Sequence, residues 1–245
     1  MPSLEAYSRS LDYSYAPGLF PSMEALTKRP ETVRRLLLSS QSVTSEGAAK
    51  LRALCEARHI RVEEADRALA RISGKDNCFA AAVFDKFQGT FLPDIPHVVL
   101  HNPSDGGNVG TILRTCLGLG FKNVAIIRPA TDVFDPRTVR ASMGAIFSMQ
   151  VREYDDFDAY RQENPERFLY PFMLDSSRLL EEATADIHRP YSLVFGNEGS
   201  GLPASFAAMG QAVRIPHSNE IDSLNLSIAA AIGVYAFKAA DHAKD

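Results

Sequence analysis

Hydrophobic residues along this chain alternate between strand-like runs and helix-like spacing, which predicts an α/β architecture. Up to about position 87 the pattern predicts helices over Ser22–Lys28, Ser45–Arg58 and Glu64–Ile72, and strands over Val33–Leu38, His59–Val62 and Ala80–Phe84. We therefore predict a small α/β domain over residues 12–87, preceded by an irregular tail over residues 1–11.

From His97 onward the alternation of short apolar runs and helical stretches is more regular. The predicted strands are His97–Leu100, Val124–Ile127, Phe168–Leu174, Ser192–Phe195 and Ala212–Ile215, and the predicted helices are Val109–Leu119, Thr138–Ser142 and Leu226–Ala240. Short apolar strands separated by helices are typical of a parallel sheet covered on both faces. We place this second domain at residues 97–245, after a proline-containing linker over residues 88–96.

Composition fits a folded protein without a membrane span or a metal site. Of the 245 residues, 45% are hydrophobic, enough for a large core. The three cysteines, Cys55, Cys78 and Cys116, lack the spacing of a zinc site or a disulfide framework, so we expect reduced thiols and a cytoplasmic protein. The longest apolar stretch, Ile228–Phe237, is too short to cross a bilayer.

Net charge argues weakly against nucleic acid as a partner, because the formal charge is -4 and nucleic-acid binders are often basic. The charge is unevenly spread, however. Residues 1–90 contain 13 Lys and Arg against 11 Asp and Glu, whereas the rest of the chain contains 13 against 19. RNA binding therefore stays open, above all for the first domain.

The first candidate motif is Asp105-Gly106-Gly107-Asn108, between a predicted strand and a predicted helix. The glycines permit a sharp turn with positive φ, and Asn108 is a good N-cap for the helix. Arg114 then projects away from the apolar face of the helix, near the carboxyl end of a strand where α/β proteins bind ligands. The alternative is a surface arginine and a simple cap. The chain has no GxGxxG or GxxxxGK[ST] here, which disfavours dinucleotide-binding and P-loop folds.

The second motif, Phe195-Gly196-Asn197-Glu198-Gly199, follows another predicted strand. A glycine-rich loop exposes backbone groups that can bind the edge of an adenine or a ribose. Glu198 either accepts hydrogen bonds from ribose hydroxyls or orders the loop, and the alternative is a tight turn with a solvated carboxylate.

The third motif, Ser223-Leu224-Asn225-Leu226-Ser227, leads into the last predicted helix. That helix is apolar on all sides, which predicts burial on all sides. The polar residues at its entry, Ser223, Asn225 and Ser227, either cap the helix or face a ligand, and these two roles are compatible.

Together, NxGxxxR, GNEGxGLP and IP…SLNxSxAAAI resemble the motifs of the SpoU/TrmH RNA methyltransferases of the SPOUT superfamily, over residues 97–239. The resemblance implies a parallel-sheet α/β domain with a carboxyl-terminal trefoil knot, active as a homodimer. It also implies S-adenosyl-L-methionine as methyl donor and a ribose 2′-hydroxyl of RNA as acceptor. A knot is accepted on the resemblance alone, since knots are rare.

Residue roles follow from the matched positions. The implied catalytic residues are Asn108, Arg114, Glu198, Ser223 and Asn225, and the implied cofactor-binding residues are Gly196, Asn197, Gly199, Ile215 and Leu224. Because a guanidinium normally stays protonated, we favour Arg114 as a clamp on the RNA phosphate next to the target ribose. The phosphate, or a perturbed Arg114, would then receive the hydroxyl proton.

The first domain resembles the small ribosomal-protein-like domain that many family members carry before the knot. It would bind structured RNA through shape and backbone contacts, with Arg29, Arg34 and Arg35 as candidate phosphate contacts. Two segments depart from the family: Asn77-Cys78-Phe79-Ala80 stands where Asn-His-Gln-Gly is common, and His217-Ser218-Asn219 where Met-x-Gly is usual. These departures put an RNA contact and the shape of the cofactor pocket in doubt.

The predicted function is therefore transfer of a methyl group to structured RNA, with ribosomal RNA favoured over transfer RNA. Two alternatives belong to other classes. One is a catalytically inactive RNA-binding or ribosome-assembly protein that retains the fold. The other is a nucleotide-binding enzyme that acts on a small molecule.

Overall fold

The computed structural model describes residues 5–42, 45–73 and 78–242, and the chain divides into two compact units. The first unit combines Met1–Phe87 with Asp132–Ser148, and the second combines Gln88–Thr131 with Met149–Asp245. A segment that follows a strand of the second unit in sequence thus packs with the first. The predicted ranges of the domains did not anticipate this exchange.

Nine strands and eight α-helices are present in the described residues. In chain order they are β1 (Tyr13–Pro17), α1 (Leu19–Lys28), β2 (Val33–Leu38), α2 (Glu46–Ala57), β3 (Arg61–Glu64), α3 (Asp66–Ser73), β4 (Ala80–Asp85), β5 (His97–His101), α4 (Gly106–Leu119), β6 (Asn123–Ile127), α5 (Pro136–Ala141), β7 (Gln150–Tyr154), α6 (Phe157–Glu163), β8 (Phe168–Pro171), α7 (Leu180–Ala185), β9 (Tyr191–Phe195) and α8 (Leu226–His242). Short 3₁₀ helices occur at Pro30–Thr32, Ala145–Ser148 and Ala204–Ala208.

The first unit contains a four-stranded sheet in the order β1-β4-β2-β3. β4 runs antiparallel to β1 and β2, and β3 runs parallel to β2. Helix α2 begins as its sequence predicts, because the side chain of Ser45 accepts a hydrogen bond from the Ala48 N–H. Strand β1 was not predicted, since its sequence, YSYAP, combines polar residues with proline, yet Ser14 and Tyr15 are fully buried.

The second unit contains a five-stranded sheet in the order β7-β6-β5-β9-β8, with every neighbouring pair parallel. This confirms the predicted parallel α/β sheet. Its central strand β5 is buried from His97 to Leu100, between the equally buried β6 and β9. The carboxyl ends of these three strands therefore meet at one edge of the sheet, where the first and second candidate motifs begin.

The turn after β5 differs from its prediction in two respects. Helix α4 begins at Gly106, and its N-cap is Asp105, whose carboxylate accepts a hydrogen bond from the Asn108 N–H at 2.7 Å. Asn108 therefore lies inside the first turn, and its predicted role as N-cap is wrong. The left-handed residue of the turn is Asn102, with φ of 56°, and not one of the glycines. Asparagine tolerates this conformation better than most residues.

Two predictions near the carboxyl terminus are also wrong. The strand expected over residues 212–215 is reduced to isolated bridges at Val213 and Arg214. The last helix is not buried on all sides, because Ile228, Ile232 and Tyr235 are 51%, 37% and 64% exposed. Their spacing places them on one stripe of α8. Among the described residues no helix is long and apolar enough to span a membrane.

Candidate methyl-donor pocket and its hydrogen-bonded rim

The glycine-rich loop after β9 is closed by backbone contacts that only glycine permits. Asn197 and Gly201 exchange backbone hydrogen bonds of 3.2 and 3.0 Å, and Gly201 has a φ of 67°. A Cβ atom at Gly196 would lie 2.2 Å from the Gly201 carbonyl carbon, far inside contact distance. The sequence Gly196-Asn197-Glu198-Gly199 thus folds into a narrow hairpin loop because its ends approach backbone to backbone.

The side chain of Asn197 holds this loop together. Its Oδ1 accepts hydrogen bonds from the backbone N–H groups of Gly199 and Ser200, at 2.9 and 3.1 Å. Its Nδ2 donates to the Asn102 carbonyl at 2.8 Å, which ties the loop to the turn after β5. Asn197, predicted as a cofactor-binding residue, therefore shapes the loop with its side chain.

Glu198 binds the start of helix α4. Its Oε2 accepts hydrogen bonds from the Ser104 N–H at 2.9 Å and from the Ser104 hydroxyl at 2.8 Å. Its Oε1 accepts from the Asp105 N–H at 3.0 Å. Partial burial by itself would raise the pKa of Glu198, but these hydrogen bonds to the ionised form outweigh it and lower the pKa. Of the two predicted roles for Glu198, ordering of the loop is the one this geometry supports.

Asn108 connects the three sequence motifs. Its Nδ2 donates to Glu198 Oε1 at 3.3 Å, and its Oδ1 accepts from Asn225 Nδ2 at 3.1 Å. Asn225 in turn caps α8, because its Oδ1 accepts from the Ser227 N–H at 2.8 Å and the Ser227 hydroxyl at 2.7 Å. Helix capping, one of the two compatible roles predicted for Asn225, is thus observed, and its ligand-facing role stays a prediction. We call Glu198, Asn108 and Asn225 the amide bridge.

A pocket lies beside the amide bridge. It is lined by the glycine-rich loop, by the residues before α8 and by an apolar wall, namely Phe172, Met173, Leu174, Phe195, Gly196, Asn197, Glu198, Gly199, Ser200, Gly201, Val213, Ile215, His217, Ser223, Leu224, Leu226 and Ala229. All five residues predicted to bind a cofactor are in this lining, together with Glu198 and Ser223. We call this cavity the donor pocket.

Close packing fixes the back wall of the donor pocket. The rings of Phe172 and Phe195 stack with centroids 4.4 Å apart. A Cβ atom at Gly233 of α8 would lie 2.6 Å from the ring of Phe172, so this glycine lets the helix approach the wall. The wall is therefore rigid and apolar, as an aromatic or heterocyclic ligand requires.

Arg114 is exposed on α4 and makes no hydrogen bond or ion pair within the described ranges. The structure does not join it to the amide bridge. Its exposed neighbours one turn away on α4 are Thr111 and Gly118. A guanidinium without a partner is available to a ligand, but its catalytic role stays a prediction.

The three arginines predicted to contact RNA have partners within the first unit. Arg29 donates to the Phe147 carbonyl at 3.2 Å and lies over the ring of Phe87. Arg34 forms ion pairs with Asp12 and Asp85, and Arg35 forms one with Glu63. Their use as phosphate contacts stays a prediction, which this pairing does not favour.

The two segments that depart from the family pattern have different outcomes. Asn77 lies outside the described residues. After it, Cys78 is buried and its Sγ lies 3.3 Å from the Ala80 carbonyl. In the other segment, the Nδ1 of His217 is 3.0 Å from the Ile215 carbonyl. Because a carbonyl only accepts, Nδ1 donates, and the imidazole is held against the donor pocket that it lines.

Sequence reasoning missed Ser104 and Phe172, and it missed the role of Asp105 within the first motif. Ser104 and Asp105 supply the groups that bind Glu198, and Phe172 forms the pocket wall. An aspartate before two glycines is also a good N-cap candidate, but the prediction assigned that role to Asn108. Nothing local to Phe172 marks it, because its contacts come from distant parts of the chain.

Residues 96–235 match the model of the SpoU rRNA Methylase family. A Synechocystis protein described as an uncharacterized tRNA/rRNA methyltransferase is 26% identical over 68% of this chain and 62% of its own length. A 23S rRNA (uridine(2479)-2′-O)-methyltransferase of Streptomyces viridochromogenes is 29% identical over 58% of this chain and 52% of its own. The matches thus span less than two thirds of both relatives.

Similarity to a solved structure extends over both units. An S-adenosylmethionine-bound rRNA methyltransferase from Sinorhizobium meliloti aligns with a TM-score of 0.78 at 26% identity, covering 93% of this chain and 87% of that one. The family match covers more than half of the chain and includes all three motifs that form the donor pocket and the amide bridge. The chain belongs to the SpoU rRNA methylase family, as the resemblance of its motifs predicted.

Proposed function

We propose that this protein transfers a methyl group from S-adenosyl-L-methionine to a ribose 2′-hydroxyl of structured RNA. The observation that carries the proposal is the amide bridge, which joins all three family motifs at the edge of one pocket. Family membership and the similarity to an S-adenosylmethionine-bound rRNA methyltransferase support the same reaction. No feature of the described residues favours the inactive RNA-binding protein or the small-molecule enzyme.

The donor pocket fits an adenosine group. Ile215, Leu224 and Phe195 supply apolar surface for a flat heterocycle, and the glycine-rich loop presents backbone groups at its edge. A side chain at Gly196 would displace the loop that forms one wall. S-adenosylmethionine would supply an activated methyl group to this site. The family resemblance implies that Ser223, which lines the pocket, and Asn225 lie close to it.

Positioning is the main contribution that this chain would make to methyl transfer. The amide bridge fixes the entry of α8 and the start of α4 as one unit, which orders the walls around the acceptor. Arg114 would hold the phosphate next to the target ribose through two parallel hydrogen bonds. The proton of the 2′-hydroxyl would pass to that phosphate or to solvent, since the guanidinium holds its own protons.

We also propose that the active form is a homodimer. The exposed stripe of α8, formed by Ile228, Ile232 and Tyr235, is an apolar patch of the type that marks protein interfaces. A second copy of the chain is the expected partner, so Ile232→Lys should yield a monomer in sedimentation velocity, whereas the native chain sediments as a dimer. A monomeric native protein would contradict this part of the proposal.

A threaded chain at the carboxyl end is a further part of the proposal. The backbone of Val213 bonds to Pro171 and Met173, at 2.8 and 2.9 Å. Arg214, next in sequence, bonds on the other side to Arg178 and Leu180, at 2.9 and 3.0 Å. The segment thus lies between the two arms of a single loop, which supports the trefoil knot that the family resemblance implies.

The proposal extends to the class of RNA that is methylated. We favour ribosomal RNA, with the first unit recognising structured RNA by shape, and we place the enzyme in the cytoplasm with its three cysteines as thiols outside any disulfide. Lys28 and Arg67 of the first unit are exposed and have no ion pair within the described ranges, so they are better phosphate contacts than the paired arginines.

Methyl transfer from tritiated S-adenosylmethionine to transcribed 16S rRNA, 23S rRNA and tRNA tests the proposal. We expect label in one class of RNA, at a position that resists alkaline cleavage because its 2′-oxygen is blocked. Calorimetric titration with S-adenosylhomocysteine should show binding that Gly196→Trp abolishes. Binding of S-adenosylhomocysteine without transfer to any of these RNAs would count against the proposed reaction.

A further inference from the structure

A second cavity lies on the other side of the glycine-rich loop from the donor pocket. It opens at the carboxyl ends of β5 and β6, where α/β proteins bind ligands. Its volume is about 720 Å³, within the range of small-molecule sites. It shares Asn197, Ser200 and Gly201 with the donor pocket. A ligand in it would therefore contact the same loop that binds the methyl donor.

Hydrogen bonds hold the walls of this cavity in place. The Thr131 N–H donates to the Pro103 carbonyl at 2.8 Å, which joins the turn after β5 to the turn after β6. The Asn102 N–H donates to the Ile127 carbonyl at 3.0 Å, and the Asn102 carbonyl accepts from Asn197. The cavity is thus formed before any ligand enters.

Among the residues that the structure describes, none in the lining is a Lys, Arg, Asp or Glu. Three prolines, Pro103, Pro129 and Pro203, contribute apolar surface to the lining. A phosphate or a metal ion would find no charged partner on these walls. The chemistry of the cavity therefore suits a flat, uncharged ring with polar edges.

Two side chains in the lining can bind such edges. Asn102 is partly exposed in the lining, whereas its Oδ1 is buried without a hydrogen-bond partner within the described ranges, so rotation of the amide toward a ligand would pair this atom. The ring of His101 is half-buried and packs against Phe206, with centroids 5.1 Å apart. Burial lowers the pKa of His101, so its ring is neutral at pH 7 and offers one donor and one acceptor.

We infer that this cavity binds an unpaired base of the RNA substrate, close to the nucleotide that is methylated. Proteins read RNA sequence mainly through unpaired bases that are stacked and hydrogen-bonded at their edges. Here the prolines would stack on the base, and His101 and Asn102 would bind its edge. The inference rests on the proposed function only in taking RNA as the ligand, and we call the cavity the base pocket.

Photo-crosslinking locates the base directly. The probe is a single-stranded decaribonucleotide of uridine with one 4-thiouridine, irradiated with the full chain and S-adenosylhomocysteine. We expect adducts on peptides that contain residues 101–104 or 129–131. Adducts only elsewhere, or none at all, would overturn the base pocket.

Filling the cavity provides the matched test. Ala130→Phe places a ring inside the base pocket, and Ala207→Phe places the same ring on an exposed 3₁₀ helix outside it. We expect Ala130→Phe to weaken binding of the decaribonucleotide about tenfold, the value of one stacked base, with Ala207→Phe unchanged. Equal affinity in both variants would refute the inference, provided that both bind S-adenosylhomocysteine like the native chain.

A milder variant guards against misfolding. Asn102→Gly removes the unpaired Oδ1 but suits the positive φ at this position, and the carbonyl that binds Asn197 stays. It should weaken binding several-fold. Crosslinking to the base pocket without methyl transfer would support the base pocket and refute the proposed reaction. Methyl transfer that neither Ala130→Phe nor Asn102→Gly affects would support the reaction and refute the base pocket.

Discussion

The residues of the donor pocket and the RNA-contacting arginines of the first unit were both predicted from short sequence patterns, but their surroundings in the structure differ. Every predicted cofactor residue lines one cavity. By contrast, Arg34 and Arg35 are ion-paired with Asp85 and Glu63. The shape of a glycine-rich loop is determined by a few adjacent residues. Whether a charge is free depends on which distant residue the fold places beside it.

Replacing Gly196 by alanine should have the largest effect on binding of S-adenosylhomocysteine. The new Cβ atom would lie 2.2 Å from the Gly201 carbonyl carbon, so the loop must open, at a cost of about 1–3 kcal/mol in the free energy of unfolding. We expect calorimetry to show no binding of S-adenosylhomocysteine. Gly118→Ala is the control, because a Cβ there meets nothing within 4 Å. Equal binding by the two variants would mean that the loop is not a pocket wall.

Arg114→Lys should reduce methyl transfer about a hundredfold while binding of S-adenosylhomocysteine stays unchanged. Lysine keeps the charge but cannot form the two parallel hydrogen bonds of a guanidinium, so the acceptor ribose would be misplaced. Single-turnover transfer to the methylated RNA measures the effect. Near-native turnover in this variant would remove Arg114 from its role as clamp.

Glu198→Gln should weaken the acid sensitivity of the fold. The folded state lowers the pKa of Glu198, so its stabilisation is present above the ordinary pKa and is lost as the pH falls through the lowered value. Urea unfolding at pH 7 and at pH 3.5 should show a smaller loss in the variant, by about 1 kcal/mol for a part-exposed carboxylate. A parallel pH dependence in both proteins would show that the hydrogen bonds from Ser104 and Asp105 are not coupled to its charge.

The smallest expected effect compares a paired with an unpaired cation of the first unit. Arg67→Ala should weaken RNA binding a few-fold and lower the slope of affinity against salt by about 1. Arg34→Ala should change that slope less, because Asp12 and Asp85 already neutralise its charge. A larger change of slope for Arg34→Ala than for Arg67→Ala would support Arg34 as a phosphate contact. Fluorescence anisotropy over a salt series measures both slopes.

Local signals were sufficient for most elements but not for their ends. Ser45, the first residue of the predicted helix, caps α2, because an N-cap acts over three residues. At α4 the predicted N-cap was Asn108, but the observed N-cap is Asp105. The helix begins at Gly106, so Asn108 already lies inside its first turn. Strand β1 escaped prediction, since its residues are buried by neighbours far away in sequence and not by any apolar period of their own.

The exposed stripe of α8 shows the same limit. Ile228, Ile232 and Tyr235 are apolar, and apolarity in the sequence predicts burial without saying against what. The structure shows that the described residues of one chain do not cover them.

The sequence by itself determined the family, the parallel sheet and the glycine-rich part of the donor pocket, because glycine-rich turns and strand periodicity act over a few residues. Only the tertiary structure decided how these residues are used. It placed Glu198 on the start of α4, joined it through Asn108 to Asn225, and paired the arginines of the first unit. Hydrogen bonds between residues about a hundred positions apart, and ion pairs between residues on different elements, depend on the packing of whole elements, which no local pattern encodes.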